Sequence, residues 1–298
     1  MTRAFFWQMD VVDLYQHLSA IYQGRPMTSA RRLYLLSLFS VMFFLLFGCG
    51  NPPSYPPSYS SPVPATGLKQ CYDMNGTVIS CANTGQDAAY MAHNPMSYTD
   101  NRNGTVTDNV TGLMWQQSLD GIQRSWSDAG AYCSSLATAG YSDWRLPSVM
   151  ELQSIVDYSI AYPGPTTNTT YFPNLVSNPT TYLWDWSSNS NVSGNGTAGS
   201  MDYSGGVLGY SSASSPLSVR CVRGNQFKTG NFVDNGDSTI TDLHNGLMWQ
   251  QTEGGVMPSW GNALSYCAGL GLAGHSDWRL PNIKELTSIV DYAKIILH

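Results

Sequence analysis

The chain has 298 residues, of which 42% are hydrophobic and 11% charged, and its formal net charge is −6. This length and apolar content exclude a wholly disordered chain and leave room for two modest cores. The acidic balance gives no general attraction for nucleic acid, which requires clustered Lys and Arg.

An apolar segment near the N-terminus predicts export. Arg31 and Arg32 precede an uncharged stretch, Leu33–Phe47, that is rich in Leu and Phe. A basic segment followed by an apolar one is typical of a signal peptide, and this stretch is shorter than the ~20 residues of a membrane-spanning helix. It ends in LFGC at Cys49, which resembles the lipobox of bacterial lipoproteins.

The lipobox resemblance implies that Cys49 carries lipid on its sulfur and becomes the first residue of the mature chain. Phe47 departs from the pattern, because the residue at that position is usually small. The alternative is an ordinary membrane anchor with an incidental cysteine. Gly50 is not the Asp that retains such lipoproteins at the inner membrane, so we expect the outer membrane, with the protein facing the surface or the periplasm.

Residues 1–26 put Asp10, Asp13 and a polar run ahead of the signal, where the basic start of a bacterial signal peptide should be. We therefore predict that translation starts at Met27 and that residues 27–48 are the signal peptide; the alternative is a long lead peptide. The mature chain keeps 10 of the 14 basic and 18 of the 20 acidic residues, a net charge of −8.

The next two segments predict a spacer and a hairpin. Residues 49–67 are rich in Pro, Ser and Tyr, a composition that favours extended polyproline-like backbone. Cys71 and Cys81 then flank an Asn-Gly pair symmetrically. Because Asn-Gly favours tight hairpin turns and exported chains meet an oxidising compartment, we predict a disulfide-closed hairpin.

An internal repeat organises the rest of the chain. Residues 98–158, the first copy, align without a gap with residues 232–292, the second copy, at an offset of 134. Of the 61 aligned positions, 33 are identical, and both copies contain GLMWQQ, SDWRLP and SIVDY. Such self-similarity predicts two related structural units.

Each copy predicts a hairpin followed by two helices. In the first copy, the first helix runs from Ser125 to Leu136 with Ser125 as its cap. The second begins after Pro147, where Ser148 and Glu151 have capping-box spacing, and the second copy repeats that spacing. The apolar faces predicted to enter the core comprise Leu152, Ile155, Val156, Leu286, Ile289 and Val290.

About sixty polar residues follow the first copy and end in VRCVRG, which suits short strands with long loops. The second copy has no such continuation before His298. We therefore predict a complete domain over residues 68–226 and a truncated second copy over residues 227–298.

The ordered motifs resemble the family called DUF1566 or Lcl C-terminal domain, over residues 71–224 throughout and over residues 232–298 for its first half. The resemblance implies an α+β fold, related to C-type-lectin-like and formylglycine-generating-enzyme-like domains, with two helices packed on a twisted antiparallel sheet. It also implies a disulfide between Cys133 and Cys221. Cys267 is then the odd cysteine, and three interpretations stay open: a free thiol, an intermolecular link or the remnant of a truncated gene.

No arrangement of residues predicts catalysis or a bound cofactor. The five histidines are scattered, and no Gly-rich phosphate loop follows a strand. The formylglycine-generating relatives use a redox-active cysteine pair, whereas every cysteine of the first domain has a structural assignment. We therefore expect a non-enzymatic protein, and a degenerate oxidase is the enzymatic alternative.

Two clusters of oxygen-bearing side chains lie at the hairpin turns. They suit a calcium loop, but Asx-rich turns are also what hairpins require, and both interpretations stay open. The residues are Asp100, Asn101, Asn103, Asp108, Asp234, Asn235, Asp237 and Asp242.

The repeated tryptophans and arginines favour structural roles. Arg145 and its counterpart Arg279 predict an ion pair, for Arg145 with Glu151 or Asp157. The tryptophans predicted to lie in the core are Trp115, Trp126, Trp144, Trp249, Trp260 and Trp278.

The segment between Tyr171 and Ser218 is the predicted ligand-binding region, because its aromatic and amide groups suit carbohydrate and binding loops often carry function. An idle solvent loop has the same composition. The leading hypothesis is a lectin-like envelope protein that binds a glycan or a protein, and the alternative is a structural envelope component. The candidate ligand-binding residues are Trp184, Asp185, Trp186, Asn189, Asn191, Asp202 and Tyr203.

Overall fold

The computed structural model describes residues 50–51, 63–90, 94–173, 184–191, 196–227, 230–255, 257 and 259–292. The predicted signal peptide, the start at Met27 and Cys49 lie outside these residues. Helices and antiparallel sheets together make the fold α+β, as predicted. Among the described residues, no helix has the length and apolar character needed to cross a membrane.

The first copy opens on the predicted hairpin, which extends into a four-stranded antiparallel sheet. Thr107 pairs with both Thr99 and Met114, so the middle strand joins its two neighbours. The fourth strand follows more than a hundred residues later and pairs Val222 with Trp115. The strands are β4 (Tyr98–Asp100), β5 (Thr105–Asp108), β6 (Met114–Gln116) and β10 (Val222–Arg223).

Two capped helices follow the hairpin at the predicted places. Helix α1 (Trp126–Ser135) begins after Ser125, whose side chain accepts a hydrogen bond from the Asp128 backbone N–H. Helix α2 (Val149–Ser154) begins after Ser148, which forms a complete capping box with Glu151. Each cap satisfies backbone donors that the first helical turn leaves without partners, which fixes where the helix begins.

A three-stranded antiparallel sheet completes the first copy. It consists of β7 (Trp184–Ser190), β8 (Thr197–Asp202) and β9 (Val207–Ser212), in that spatial order. One face of this sheet packs against the helices, because Trp186 and Ala198 share an apolar cluster with residues of α1. The predicted disulfide between Cys133 and Cys221 is present and ties α1 to the residue before β10.

The core of the first copy lies between the four-stranded sheet, α2 and β8. Predicted core residues Leu152, Ile155 and Val156 are fully buried there against Trp115 and Val222. Burial of such apolar side chains contributes ~1.5–3 kcal/mol each. Burial in this core therefore helps to hold β10 beside β6.

The second copy repeats the hairpin and both helices. Its strands and helices are β11 (Phe232–Asp234), β12 (Thr239–Asp242), β13 (Met248–Gln250), α3 (Trp260–Gly269) and α4 (Ile283–Ser288). Asn282 and Glu285 form the second capping box, as predicted. Cys267 is disulfide-bonded, so the interpretation of that residue as a free thiol is wrong.

The fourth strand of the second sheet comes before the second copy in the sequence, whereas the fourth strand of the first sheet comes after the first copy. It is β1 (Gly50–Asn51), which pairs Gly50 with Trp249 and Asn51 with Met248. This pairing places the start of the predicted spacer in a sheet. The described part of the spacer, residues 63–67, also makes hydrogen bonds, since Thr66 accepts from the backbone N–H of Tyr158.

The predicted hairpin, β2 (Cys71–Tyr72) and β3 (Val78–Ile79), is closed by the Cys71–Cys81 disulfide. It lies against the second copy: a Cβ built on Gly261 of α3 would be 3.1 Å from the Met74 sulfur. Just beyond the hairpin, Asp87 accepts a 3.2 Å hydrogen bond from the Asn282 amide. The segment 63–90 therefore packs against the second copy.

Candidate functional site

Three of the predicted ligand-binding residues are interior side chains. Asp185, Trp186 and Tyr203 have no exposed surface. The Trp186 indole N–H donates to the Arg124 carbonyl at 2.8 Å and so anchors β7 to the segment before α1. This placement corrects the prediction for these three residues. Adjacent strand residues point to opposite faces, and both faces of β7 are covered here, since Trp186 joins the cluster around α1 and Asp185 faces Arg220.

Asp185 faces Arg220 inside the first copy, with 3.9 Å between carboxylate and guanidinium. Burial raises the pKa of Asp185 to about 6, while the Arg220 charge opposes the shift. Arg220 also donates to the carbonyls of Gln116 and Gln117 at 2.8 and 2.6 Å. The pair therefore joins β7 to β6 and has a structural role.

Of the other four predicted ligand-binding residues, three use their polar groups within the fold and the fourth packs on a neighbouring strand. Asn189 accepts from the Val149 backbone N–H at the start of α2. Asn191 donates to Thr197 across the β7–β8 pair, and Asp202 accepts from the Ser204 backbone N–H. Trp184 is half-buried, and its ring lies against Gly209 on β9. The structure does not bring these residues together in one pocket.

The predicted calcium ligands are occupied by the hairpins themselves. Asp100 accepts from the Arg102 backbone N–H, Asn101 donates to Thr105 and Thr107, and Asn103 accepts from Thr105. The second hairpin repeats these contacts through Asp234, Asn235 and Asp237.

Asp108 and Asp242 are buried below the turns and each accepts a backbone N–H, so burial raises the pKa of both carboxyls. In the described residues, no group of three or more His, Cys, Asp or Glu side chains is placed to hold a metal ion. Of the two interpretations, the geometry therefore favours Asx turns over a calcium loop.

The predicted arginine ion pair is present in both copies. Arg145 contacts Glu151 with two hydrogen bonds of 2.7 and 2.6 Å, and Arg279 contacts Glu285 with two of 2.7 and 2.5 Å. Each glutamate also accepts the backbone N–H of its own N-cap residue. The ion pair thus links the SDWRLP segment to the capping box of the following helix.

The predicted core role of the tryptophans also agrees with their burial. Trp115, Trp144, Trp249 and Trp278 are at most 5% exposed. Trp126 and Trp260 are half-buried and pack on the clusters around α1 and α3. These rings are therefore packing elements rather than an aromatic platform for a ligand.

The structure shows a candidate site that the sequence did not predict: a cavity of about 350 Å³ between the two copies. We call it the inter-copy cavity. Both copies and the spacer line it, and its lining includes Val63, Met150, Gln153, Ser154, Asn225, Gln226, Asp242, His244, Asn245, Lys284, Thr287 and Ser288. The two second helices contribute six of these residues, because α2 and α4 pack against each other.

Lys284 is the most unusual group in this cavity. It is 4% exposed, and its ammonium donates to the carbonyls of Ala65 and Ser154 at 3.0 and 2.9 Å. Burial lowers the pKa of Lys284 to about 7, although the charges of Asp108, Asp157 and Asp87 act in the opposite direction. The first copy has Met150 at the equivalent position, and that mismatch within the repeat was the available sequence signal.

The remaining polar groups of the cavity suit hydrogen bonding rather than nucleophilic chemistry. The hydroxyls of Ser154 and Ser288 each donate to a carbonyl one turn earlier, at 2.7 Å. A serine nucleophile instead needs a base to accept its proton. Asn245 donates to Ser288 at 3.0 Å, and Thr287 contacts Gln153 across the copies.

Comparison with known families agrees with the repeat. Residues 104–223 and 238–296 match the Lcl C-terminal domain. The two matched segments correspond to the two copies and together cover more than half of the chain. No curated protein matches the chain. The chain belongs to the Lcl C-terminal domain family.

Proposed function

We propose that this protein is a non-enzymatic binding protein of the bacterial cell envelope, and that the inter-copy cavity takes a small polar ligand such as a glycan unit. The observation that carries the proposal is the convergence of amide, imidazole, hydroxyl and ammonium groups from both copies on one cavity of about 350 Å³. Ligand pockets commonly have volumes of ~300–1,000 Å³ with a few placed polar groups.

The polar groups of the cavity match the chemistry of sugar hydroxyls. Gln226 and Asn225 are exposed at its edge, where their amides are accessible to a ligand. Val63 and Met150 add apolar surface on which a sugar ring can lie. The donors and acceptors are neutral except for Lys284 and Asp242, which favours an uncharged polyhydroxyl ligand over a strongly charged one.

The buried disulfide supports the non-enzymatic part of the proposal. Both Cys133 and Cys221 have no exposed surface. Thiol–disulfide exchange requires a thiolate to reach a sulfur, and neither sulfur of this pair is accessible. The degenerate-oxidase alternative would therefore need another cysteine.

Location in the envelope is proposed from the sequence alone. The basic and apolar segment before Cys49 predicts export, and the lipobox resemblance predicts attachment of the mature chain to the outer membrane. Surface labelling of intact and permeabilised cells would distinguish display from an inward-facing position. Equal labelling before and after permeabilisation is the result expected for display.

The binding proposal is tested on the full exported chain, purified from the envelope, against a glycan array and by calorimetric titration of the array hits. Gln226→Trp places a bulky ring at the exposed edge of the cavity and should reduce affinity at least tenfold. Gln123→Trp is the matched control, because Gln123 is also exposed but lies outside the cavity. Equal affinity of the two variants would refute the cavity as the binding site.

A structural envelope component without a free ligand is the second candidate. It is favoured by Lys284, whose hydrogen bonds to Ala65 and Ser154 join the spacer to both copies. An array without hits, together with a strong loss of stability in Lys284→Met, would support this alternative.

A further inference from the structure

The two sheets of the repeat are closed by strands in the same place and register. In the first copy, Val222 pairs with Trp115, and Arg223 pairs with Met114. In the second copy, Gly50 pairs with Trp249, and Asn51 with Met248. Trp249 and Met248 are the repeat counterparts of Trp115 and Met114 at the offset of 134. Strand β1 therefore occupies in the second sheet the position that β10 has in the first.

A cysteine directly precedes each closing strand in the sequence. Cys221 precedes Val222 and is bonded to Cys133 of helix α1. Cys49 precedes Gly50, and the counterpart of Cys133 in helix α3 is Cys267. Cys267 is disulfide-bonded. Cys71 is bonded to Cys81 and Cys133 to Cys221, so none of these four is its partner. Cys49 is the sixth cysteine of the chain and lies outside the described residues.

We propose that the segment starting at Cys49 closes the second copy, and that Cys49 is the disulfide partner of Cys267. Each thiol loses one proton and one electron as the sulfur–sulfur bond forms. A protein disulfide of the export compartment accepts both electrons by thiol–disulfide exchange and is reduced to two thiols. The second copy then has the same staple between first helix and closing strand as the first copy.

Contacts after the closing strands support the same arrangement. In the first copy, the Phe227 backbone N–H donates to Glu151 at 3.1 Å, so the residues after β10 cover the Arg145–Glu151 pair. In the second copy, residues 87–90 lie beside the equivalent Arg279–Glu285 pair. The Tyr90 ring lies 5.2 Å from the Arg279 guanidinium, and Asp87 contacts Asn282.

A disulfide at Cys49 affects attachment to the membrane. A lipidated cysteine holds its lipid through a thioether on Sγ, and the same sulfur cannot form a disulfide. Lipid on Cys49 and closure of the second copy through Cys49 therefore exclude each other, so the disulfide replaces the lipid attachment that the lipobox resemblance predicts, while export to the envelope is kept. Cleavage of the signal must also leave Cys49 on the mature chain.

Peptide mapping of the whole chain tests the proposal directly. The chain is extracted from the envelope, alkylated under non-reducing conditions and digested with trypsin, which cuts after Lys69, Lys228 and Arg279 and so separates the three expected cysteine pairs. The expected product joins the peptide that contains Cys49 and ends at Lys69 to residues 229–279. A diacylglyceryl group on Cys49, a mature chain that lacks Cys49, or another partner for Cys267 would each overturn the proposal.

Cysteine variants give an independent test by thermal unfolding. Cys49→Ser and Cys267→Ser should each lower Tm by roughly 10 °C, because each removes the same long-range cross-link. The double variant should show no further loss. A Cys49→Ser chain that leaves the membrane fraction but keeps the wild-type Tm would contradict the proposal and identify Cys49 as a lipid anchor.

Discussion

The two copies share their local structure and differ in what surrounds it. Both contain the hairpin, the capping box and the Arg–Glu pair, built from identical or similar residues. The first copy adds the β7–β9 sheet and takes its closing strand from later in the chain, whereas the second takes it from earlier. Local motifs therefore fold alike in both contexts, and the completion of each core depends on distant segments.

Removal of each disulfide should show how strongly the stability of the surrounding region depends on that cross-link. Replacement of Cys133 and Cys221 by Ser opens a loop of 88 residues and should cost ~4.5 kcal/mol in free energy of unfolding. The same change at Cys71 and Cys81, 10 residues apart, should cost ~2.7 kcal/mol. Urea unfolding measures both, and equal losses would contradict the long-range role of the first pair.

The buried ion pair of Asp185 and Arg220 belongs to the additional part of the first copy, which begins with β7. Asp185→Asn leaves the fully buried Arg220 without its counter-charge and should lower the free energy of unfolding by about 3–5 kcal/mol. Asp120→Asn is the control, because its pair with Arg124 is partly exposed and should cost about 1 kcal/mol or less. Urea unfolding that gave similar losses for the two variants would show that Asp185 and Arg220 do not depend on each other.

The capping-box glutamates allow the same change in both copies. Glu151→Gln and Glu285→Gln should each cost roughly 2–4 kcal/mol, since each breaks a buried two-bond contact with arginine. Glu151→Gln should cost about 1 kcal/mol more, because Glu151 also accepts the Phe227 N–H. A larger loss for Glu285→Gln in chemical unfolding would reverse this ranking.

Lys284 provides the smallest and most specific difference between the copies. Its pKa is about 7 in the folded chain and near 10.5 when unfolded, so between these values the unfolded chain binds a proton that the folded chain lacks. The free energy of unfolding should therefore rise with pH from about 7 to 9, by at most ~1.4 kcal/mol per pH unit.

Lys284→Met, which places the first copy's residue in the second, should remove this rise. Lys69→Met should keep it, because Lys69 is exposed. The measurement is urea unfolding at a series of pH values. A rise that persists in Lys284→Met would assign the titration to another group.

Prediction from sequence succeeded where the determinants are close in the chain. The caps at Ser125 and Ser148, the hairpin between Cys71 and Cys81 and the Arg145–Glu151 pair all depend on residues at most ten positions apart. Prediction failed for the burial of Asp185 and Trp186, because composition cannot show that both faces of β7 are covered by other parts of the fold.

The sequence by itself determined the two copies, their helices and hairpins, because a cap, a turn or an alternating apolar pattern acts over a few residues and does so in both copies. Only the tertiary structure decided that Lys284 meets Ser154 across 130 positions and that β1 pairs with β13. Such contacts depend on which distant surfaces become adjacent when apolar side chains are buried, and no local pattern encodes that choice.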